Sequence, residues 1–413
     1  MYPDLWGPGC LSRTSTRPQP DRNPRRTMNF AIPVPHPDRA TVQRLPNGVR
    51  ITLDPRPHAH SAAVVLWVAG GTREEGDADA GHLHLLEHLL LHRTTRSDAQ
   101  ALARRIATLG GMVNAQTGRE HLALIGRAPA GQVAALAELL VECLCEPAFD
   151  DGDLALEQGV IEAERTFVGQ TPPQEALIRL AWPQHPLGRL LLPADPAPAD
   201  ASALRRLWTR QCVGARLRVA VVGNFEPAAL RGALAPLDTL PAGTAPDWGT
   251  PPQFMPGRYG ELREDRPATL LWALPCTPYA GADSSGWELA ATILEHTLTA
   301  SLRDSGLAYA CAVWPQLHSD SGLIVVQVSA TPGRVTACAD AVNASLDALA
   351  KDGPSPTART IARSALQARA ALARDDLEDQ ARTLAQGLAN ASRAVVDGGP
   401  DLSAFGSSLQ IVL

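Results

Sequence analysis

Two histidines four residues apart with a glutamate beside the second, His84-Leu85-Leu86-Glu87-His88, are the residues in this sequence whose types and spacing could do chemistry. On a helix, positions i and i+4 leave the same face about one turn apart, so both imidazoles can reach one zinc ion. Glu87 is then a carboxylate placed to act as general base toward a water that the ion activates. A histidine-rich buried helix with no metal is the alternative, and His82 and His92 on the same stretch speak for it, although chance must then also place Glu87. His92 fails as a third ligand, because about two turns separate it from His84, ~12 Å along the axis, too far for bonds of roughly 2 Å to one ion.

The order H-x-x-E-H is the inverted form of the H-E-x-x-H zinc-hydrolase helix. A third donor must come from elsewhere, and Glu164 is the candidate. It follows Glu157 by seven residues on an expected helix Asp153 to Thr166, so both carboxylates share a face, and stacked like charges call for a cation. Glu164 would bind zinc while Glu157 orients a ligating imidazole from outside the ligand set. Glu162 points to another side of that helix and reads as solvated. Taken singly, surface charge accounts for any of these glutamates equally well.

The elements that must position these groups are legible from periodicity. Thr41 onward reads as strand, turn at Pro46-Asn47-Gly48, and strand Val49 to Leu53; Ala62 to Val68 is a second apolar strand, broken by Gly70-Gly71. Gly81 to Leu91 is too long an apolar stretch for another strand and favours a buried helix. A helix capped by Ser97 should end at Gly110-Gly111, followed by strands Met112 to Thr117 and His121 to Ala128. Helices Val133 to Cys145 and Asp153 to Thr166 and a strand Arg216 to Val222 complete the first half. Residues 236–260, rich in proline and glycine, read as a linker. Strand Thr269 to Ala273, helix Gly286 to Ser301, strand Leu323 to Ser329 and helices Arg334 to Ala350 and Pro356 to Val396 then repeat a similar order, which suggests an internal duplication.

The 413 residues, 45% hydrophobic and 19% charged, are enough for two domains. The expected organisation is a disordered extension 1–39, a zinc-binding domain 40–235, the linker 236–260 and a second domain 261–413. A net charge of −6 offers no basic field for nucleic acid, and no apolar run is long enough to cross a bilayer. Seven cysteines lack any disulfide or zinc-ribbon spacing, and no secretory signal precedes them, so a reducing, cytoplasmic setting is expected.

The chain resembles the pitrilysin/insulinase family of zinc peptidases, in particular the short branch that includes the mitochondrial processing peptidase. The resemblance rests on Leu45-Pro46-Asn47-Gly48, Gly71-Thr72-Arg73-Glu74, the stretch Gly81 to Thr94, Gly110-Gly111-x-x-Asn114-Ala115-x-Thr117, Glu157 and Glu164, His185-Pro186-Leu187-Gly188, Val221-Val222-Gly223 and Gly306-Leu307-Ala308-Tyr309. It implies an α+β fold of two similar domains, each a mostly antiparallel sheet with helices packed on one side, and zinc in the first. It implies a zinc endopeptidase whose unfolded peptide substrate adds as a strand beside Asn114 and Ala115, with Arg303 and Tyr309 from the second domain helping to stabilise the oxyanion. It also implies a homo- or heterodimer, and it leaves room for a non-catalytic peptide-binding subunit as the alternative function. After the long last helix the resemblance calls for one more helix and a closing strand. This chain offers a short Ser-Gly stretch and Leu409 to Leu413, so the second domain is expected to be trimmed or completed by a partner.

Overall fold

The computed structural model describes residues 40–168, 172–260, 263–278, 284–387 and 408–412; the expected extension 1–39 lies outside them. The first half contains β1 (Thr41–Arg44), β2 (Arg50–Pro55), β3 (Ser61–Ala69), α1 (His82–Leu90), α2 (Ala99–Thr108), β4 (Met112–Thr117), β5 (His121–Pro129), α3 (Val133–Cys145), α4 (Asp151–Val168), α5 (Pro173–Ala181), α6 (Ala201–Gln211), β6 (Leu217–Gly223) and α7 (Pro227–Leu234). The second contains β7 (Gly257–Tyr259), β8 (Ala268–Cys276), α8 (Ser284–Asp304), β9 (Ala308–Leu317), β10 (Gly322–Ala330), α9 (Val335–Asp352), α10 (Pro356–Leu372), α11 (Leu377–Gln386) and β11 (Leu409–Val412). No described helix is long and apolar enough to cross a membrane.

The architecture is α+β with two sheets. The first has the order β1-β2-β6-β3-β5-β4 and the second β7-β11-β8-β10-β9. Only the β2–β6 and β11–β7 pairs are parallel, so both sheets are mostly antiparallel. Each sheet packs helices of its own half on one face, and its other face is crossed by a helix from the opposite half. Leu377, Ala381 and Ala385 of α11 lie on Val65, Trp67, Ile125 and Val222 of the first sheet. Leu177, Ile178 and Ala181 of α5 lie on Leu271, Ala273, Leu323 and Val325 of the second. This double covering explains why β3 is apolar at successive positions instead of alternating, since Ala62 to Val68 are buried whichever face they point to.

Three expectations need correcting. Asp98, not Ser97, caps α2, accepting the Ala101 N–H at 2.7 Å, while Ser97 is buried against Glu142. The long final helix is two: α10 ends at Leu372, and Asp376 opens α11 by accepting the N–H groups of Glu378 and Asp379. The part of that helix expected to reach Val396 lies outside the described residues. The strand thought missing from the end is present: Leu409–Val412 pairs with both β8 and β7 inside the second sheet. Edge strand β9 carries no clear strand signal in the sequence, because its outer positions are exposed without alternation and Pro315 interrupts the pattern.

Helix α1 begins on Gly81, whose φ of 86° is left-handed and which has no side chain to cap the turn. Glu75 supplies the cap from the preceding loop, accepting the Leu83 N–H at 2.7 Å and the Gly81 N–H at 3.1 Å. Burial pushes its carboxyl up from 4.5 to about 7. The folded state then holds the proton more tightly than the unfolded one, so this stabilisation is fully present below about pH 4.5, is lost as the pH rises toward about 7, and stays lost above it. Relative to a Glu75→Gln variant, the wild type should lose on the order of 3 kcal/mol of unfolding free energy across that window. Urea denaturation of both proteins at pH 5 and pH 8 measures it.

Candidate metal centre

Buried leucines on the inner face of α1 (Leu83, Leu86, Leu89 and Leu90) fix the helix to the core. That leaves His84, Glu87 and His88 half-buried along the face toward α4. Nε2 of His84 lies 3.8 Å and Nε2 of His88 3.6 Å from the same Glu164 oxygen, Oε2. Donors bound at roughly 2.0–2.1 Å around a tetrahedral ion stand about 3.3–3.5 Å apart, so this trio is within a small side-chain adjustment of a zinc site. Among the described residues it is the one group of His, Cys, Asp or Glu so spaced. Burial holds the His84 imidazole below its ordinary pKa, which favours the neutral, metal-binding ring.

Behind the donors lies a chain of carboxylates. Nδ1 of His88 meets Glu157 Oε2 at 3.0 Å, which leaves Nε2 for an ion. The other Glu157 oxygen is 3.2 Å from His92 Nδ1, and His92 Nε2 is 3.3 Å from Asp153. Asp153 is in turn held by Arg93 at 2.6 Å. His92 thus serves this supporting chain rather than the donor trio. Glu162 is on the surface, paired with Arg165 at 2.9 Å. A Glu157→Gln substitution should weaken zinc binding roughly 10–100-fold while leaving the three donors in place. Competition with a calibrated zinc chelator reads this directly.

Glu87 is not in the trio. Its carboxylate accepts the backbone N–H of Thr117 at 2.7 Å, and the Thr117 hydroxyl donates to Leu83 O at 3.2 Å. These two bonds fasten the end of β4 to α1. Because β4 is an edge strand, the outer side of its backbone is open to pairing. Asn114 on it is exposed, whereas Ala115 is 5% exposed and packs into the core.

Neither Arg303 nor Tyr309 forms a hydrogen bond or ion pair with α1 or Glu164 among the described residues. Tyr309 is the extra residue at a bulge in β9 and is 90% exposed. Arg303 lines a cavity with Glu295, His296 and Arg369, to which Tyr309 does not contribute. The halves are tied elsewhere, by the buried Arg73, which pairs with Glu120 at 2.6 Å and Asp320 at 2.5 Å and donates to Trp248 O. The sequence rules His92 out as a ligand but does not announce its supporting role or that of Asp153, nor Glu75 and the Thr117 N–H. The i+4 spacing from His88 to His92 and from Asp153 to Glu157 was a signal for the first two; a backbone donor carries none.

Fold and site together define a class: two-sheet α+β proteins of the peptidase type with an inverted histidine–glutamate helix. Residues 50–195 match the sequence profile of Insulinase (Peptidase family M16), and residues 199–366 match that of the Peptidase M16 inactive domain. The chain belongs to the insulinase family of peptidases. An uncharacterized zinc protease of Mycobacterium tuberculosis is 26% identical, over 86% of this chain and 84% of its own length. Another from Bacillus subtilis is 22% identical over 74% and 78%. A probable mitochondrial-processing peptidase subunit beta of Arabidopsis thaliana reaches 32%, over 37% of this chain and 29% of its own. Among solved structures, a protease from Helicobacter pylori superposes with a TM-score of 0.78 at 16% identity, covering 91% of this chain and 99% of that one, which is a likeness of fold.

Proposed function

We propose that this chain is a zinc-dependent endopeptidase for unfolded peptides, with the metal in the unit 40–235. The observation that carries the reading is the convergence of His84 Nε2, His88 Nε2 and Glu164 Oε2, with Glu87 beside them and outside the donor set. Zinc held by these three would supply the Lewis acid that lowers the pKa of a water toward roughly 7 and polarises the scissile carbonyl. Glu87, steadied by the Thr117 N–H, accepts the proton of the attacking water and returns it to the leaving amine. Peptide backbone adds along the open side of β4 past Asn114 and Ala115. Tyr309, 90% exposed, and Arg303 are the second-half groups assigned to the carbonyl oxygen in this reading. A relative named as a subunit supports a homo- or heterodimer.

The test is mass spectrometry of a mixed peptide pool incubated with the purified chain. Internal bonds should be cut, cutting should stop on chelation, and one equivalent of zinc should restore it. Cleavage that survives chelation refutes the reading. So does failure of the zinc-loaded protein to cut, alone or with a related subunit, which leaves the non-catalytic alternative.

A further inference from the structure

Both halves run strand, helix, edge strand, strand, helix, helix: β3, α1, β4, β5, α3, α4 in the first and β8, α8, β9, β10, α9, α10 in the second, with α8 running on through the place of α2. Helix α10 packs on α8 as α4 packs on α1. His84-Leu85-Leu86-Glu87-His88 therefore has a counterpart in Thr292-Ile293-Leu294-Glu295-His296, at nearly the same distance beyond the preceding strand. On the facing helix, Glu164 has its counterpart in Arg369, which pairs with Glu295 at 2.8 Å. One imidazole is replaced by Thr292, a guanidinium stands where the third donor, a carboxylate, stands in the first half, and the remaining glutamate is neutralised by it. The negative charge of the first-half cluster is therefore cancelled in its counterpart.

The counterpart residues line a cavity of about 480 Å³ between α8, α10 and the start of β9. Arg303 also lines it, and its guanidinium has no hydrogen-bond or ion-pair partner among the described residues. With Arg369 and Glu295 compensating each other, Arg303 is the one positive charge among the described lining residues without an ion-pair partner. Much of the wall is apolar, from Ala300, Cys311, Ile361, Ala362 and Ala365. A planar fork of donors over an apolar wall suits a carboxylate on an apolar body, because guanidinium and carboxylate match in a two-pronged contact. We propose that this cavity binds such a carboxylate, its acid on Arg303 and its body against Cys311, Ile361, Ala362 and Ala365. The acid can belong to a free small molecule or to the C-terminal residue of a peptide. Nothing in this assignment requires the chain to hydrolyse peptides.

The experiment titrates the full chain, zinc-loaded and chelated, with N-acetyl-leucine, its amide, and an acetylated hexapeptide ending in leucine as acid and as amide, followed by calorimetry or ligand-observed NMR. At least one acid should bind at least about 10-fold more tightly than its amide, a preference expected of a charge-assisted contact. Arg303→Gln should abolish that preference, and Ala365→Phe, which fills the cavity and spares Arg303, should block binding. Binding of the small acid identifies a free ligand; binding of the hexapeptide acid alone identifies a peptide terminus. The proposal is overturned if acid and amide bind alike, if neither acid binds, or if either variant binds as the wild type does. It is overturned too if chelation removes binding, since the ligand then sits on the metal. The chelated arm keeps this result separate from whether the first half is a peptidase.

Discussion

Replacing Glu87 with glutamine should leave zinc bound at the wild-type stoichiometry and lower kcat on unfolded peptides by about 10²–10⁴-fold, the range that a positioned general base contributes. The separation of the two readouts follows from the geometry. Glu87 is held by the Thr117 N–H at 2.7 Å and takes no part in the trio formed by His84, His88 and Glu164. A glutamine has nearly the same shape but cannot take a proton, so the metal stays and the chemistry stops. Metal analysis beside a steady-state assay on a quenched peptide decides it. Retained turnover would assign the base elsewhere, and lost zinc would make Glu87 a ligand.

The second large effect concerns Glu164. Its replacement by alanine removes the donor toward which both imidazoles point, at 3.6 and 3.8 Å, so zinc should be lost by more than the roughly 10–100-fold expected at Glu157. Cleavage should vanish with it. The fold should survive, because the Glu164 side chain is 42% exposed and carries no core packing. Glu162→Ala is the internal control: two positions away on the same helix, 63% exposed and paired only with Arg165, it should change neither metal content nor activity. If the two variants behave alike, Glu164 is a surface charge and the third donor has been misidentified.

These predictions draw unequally on sequence and structure. The placing of His84, Glu87 and His88 on one helical face needed no coordinates, because an i, i+4 spacing is fixed by the helix repeat itself. The elements around them were legible for a similar reason: strand Met112–Thr117 and helix Val133–Cys145 are bounded by glycine breaks or by changes of period that act within a few residues. Element ends were less so. Asp98 outcompeted Ser97 as a cap because Ser97 is drawn into a buried contact with Glu142, a partner far along the chain.

What only the tertiary structure decided is everything that joins distant segments. Spacing put Glu157 and Glu164 on one face of α4, but only the packing of α4 on α1 brings them to His88 and to both Nε2 atoms. The Thr117 N–H that steadies Glu87 is a backbone group, identical in every residue but proline, and no sequence pattern can announce it. The exchange of α5 and α11 between the sheets is equally silent, since an apolar helix face declares that it must be buried without saying against what. Local periodicity is a property of the chain's own geometry, whereas the choice of partner depends on how whole surfaces fit.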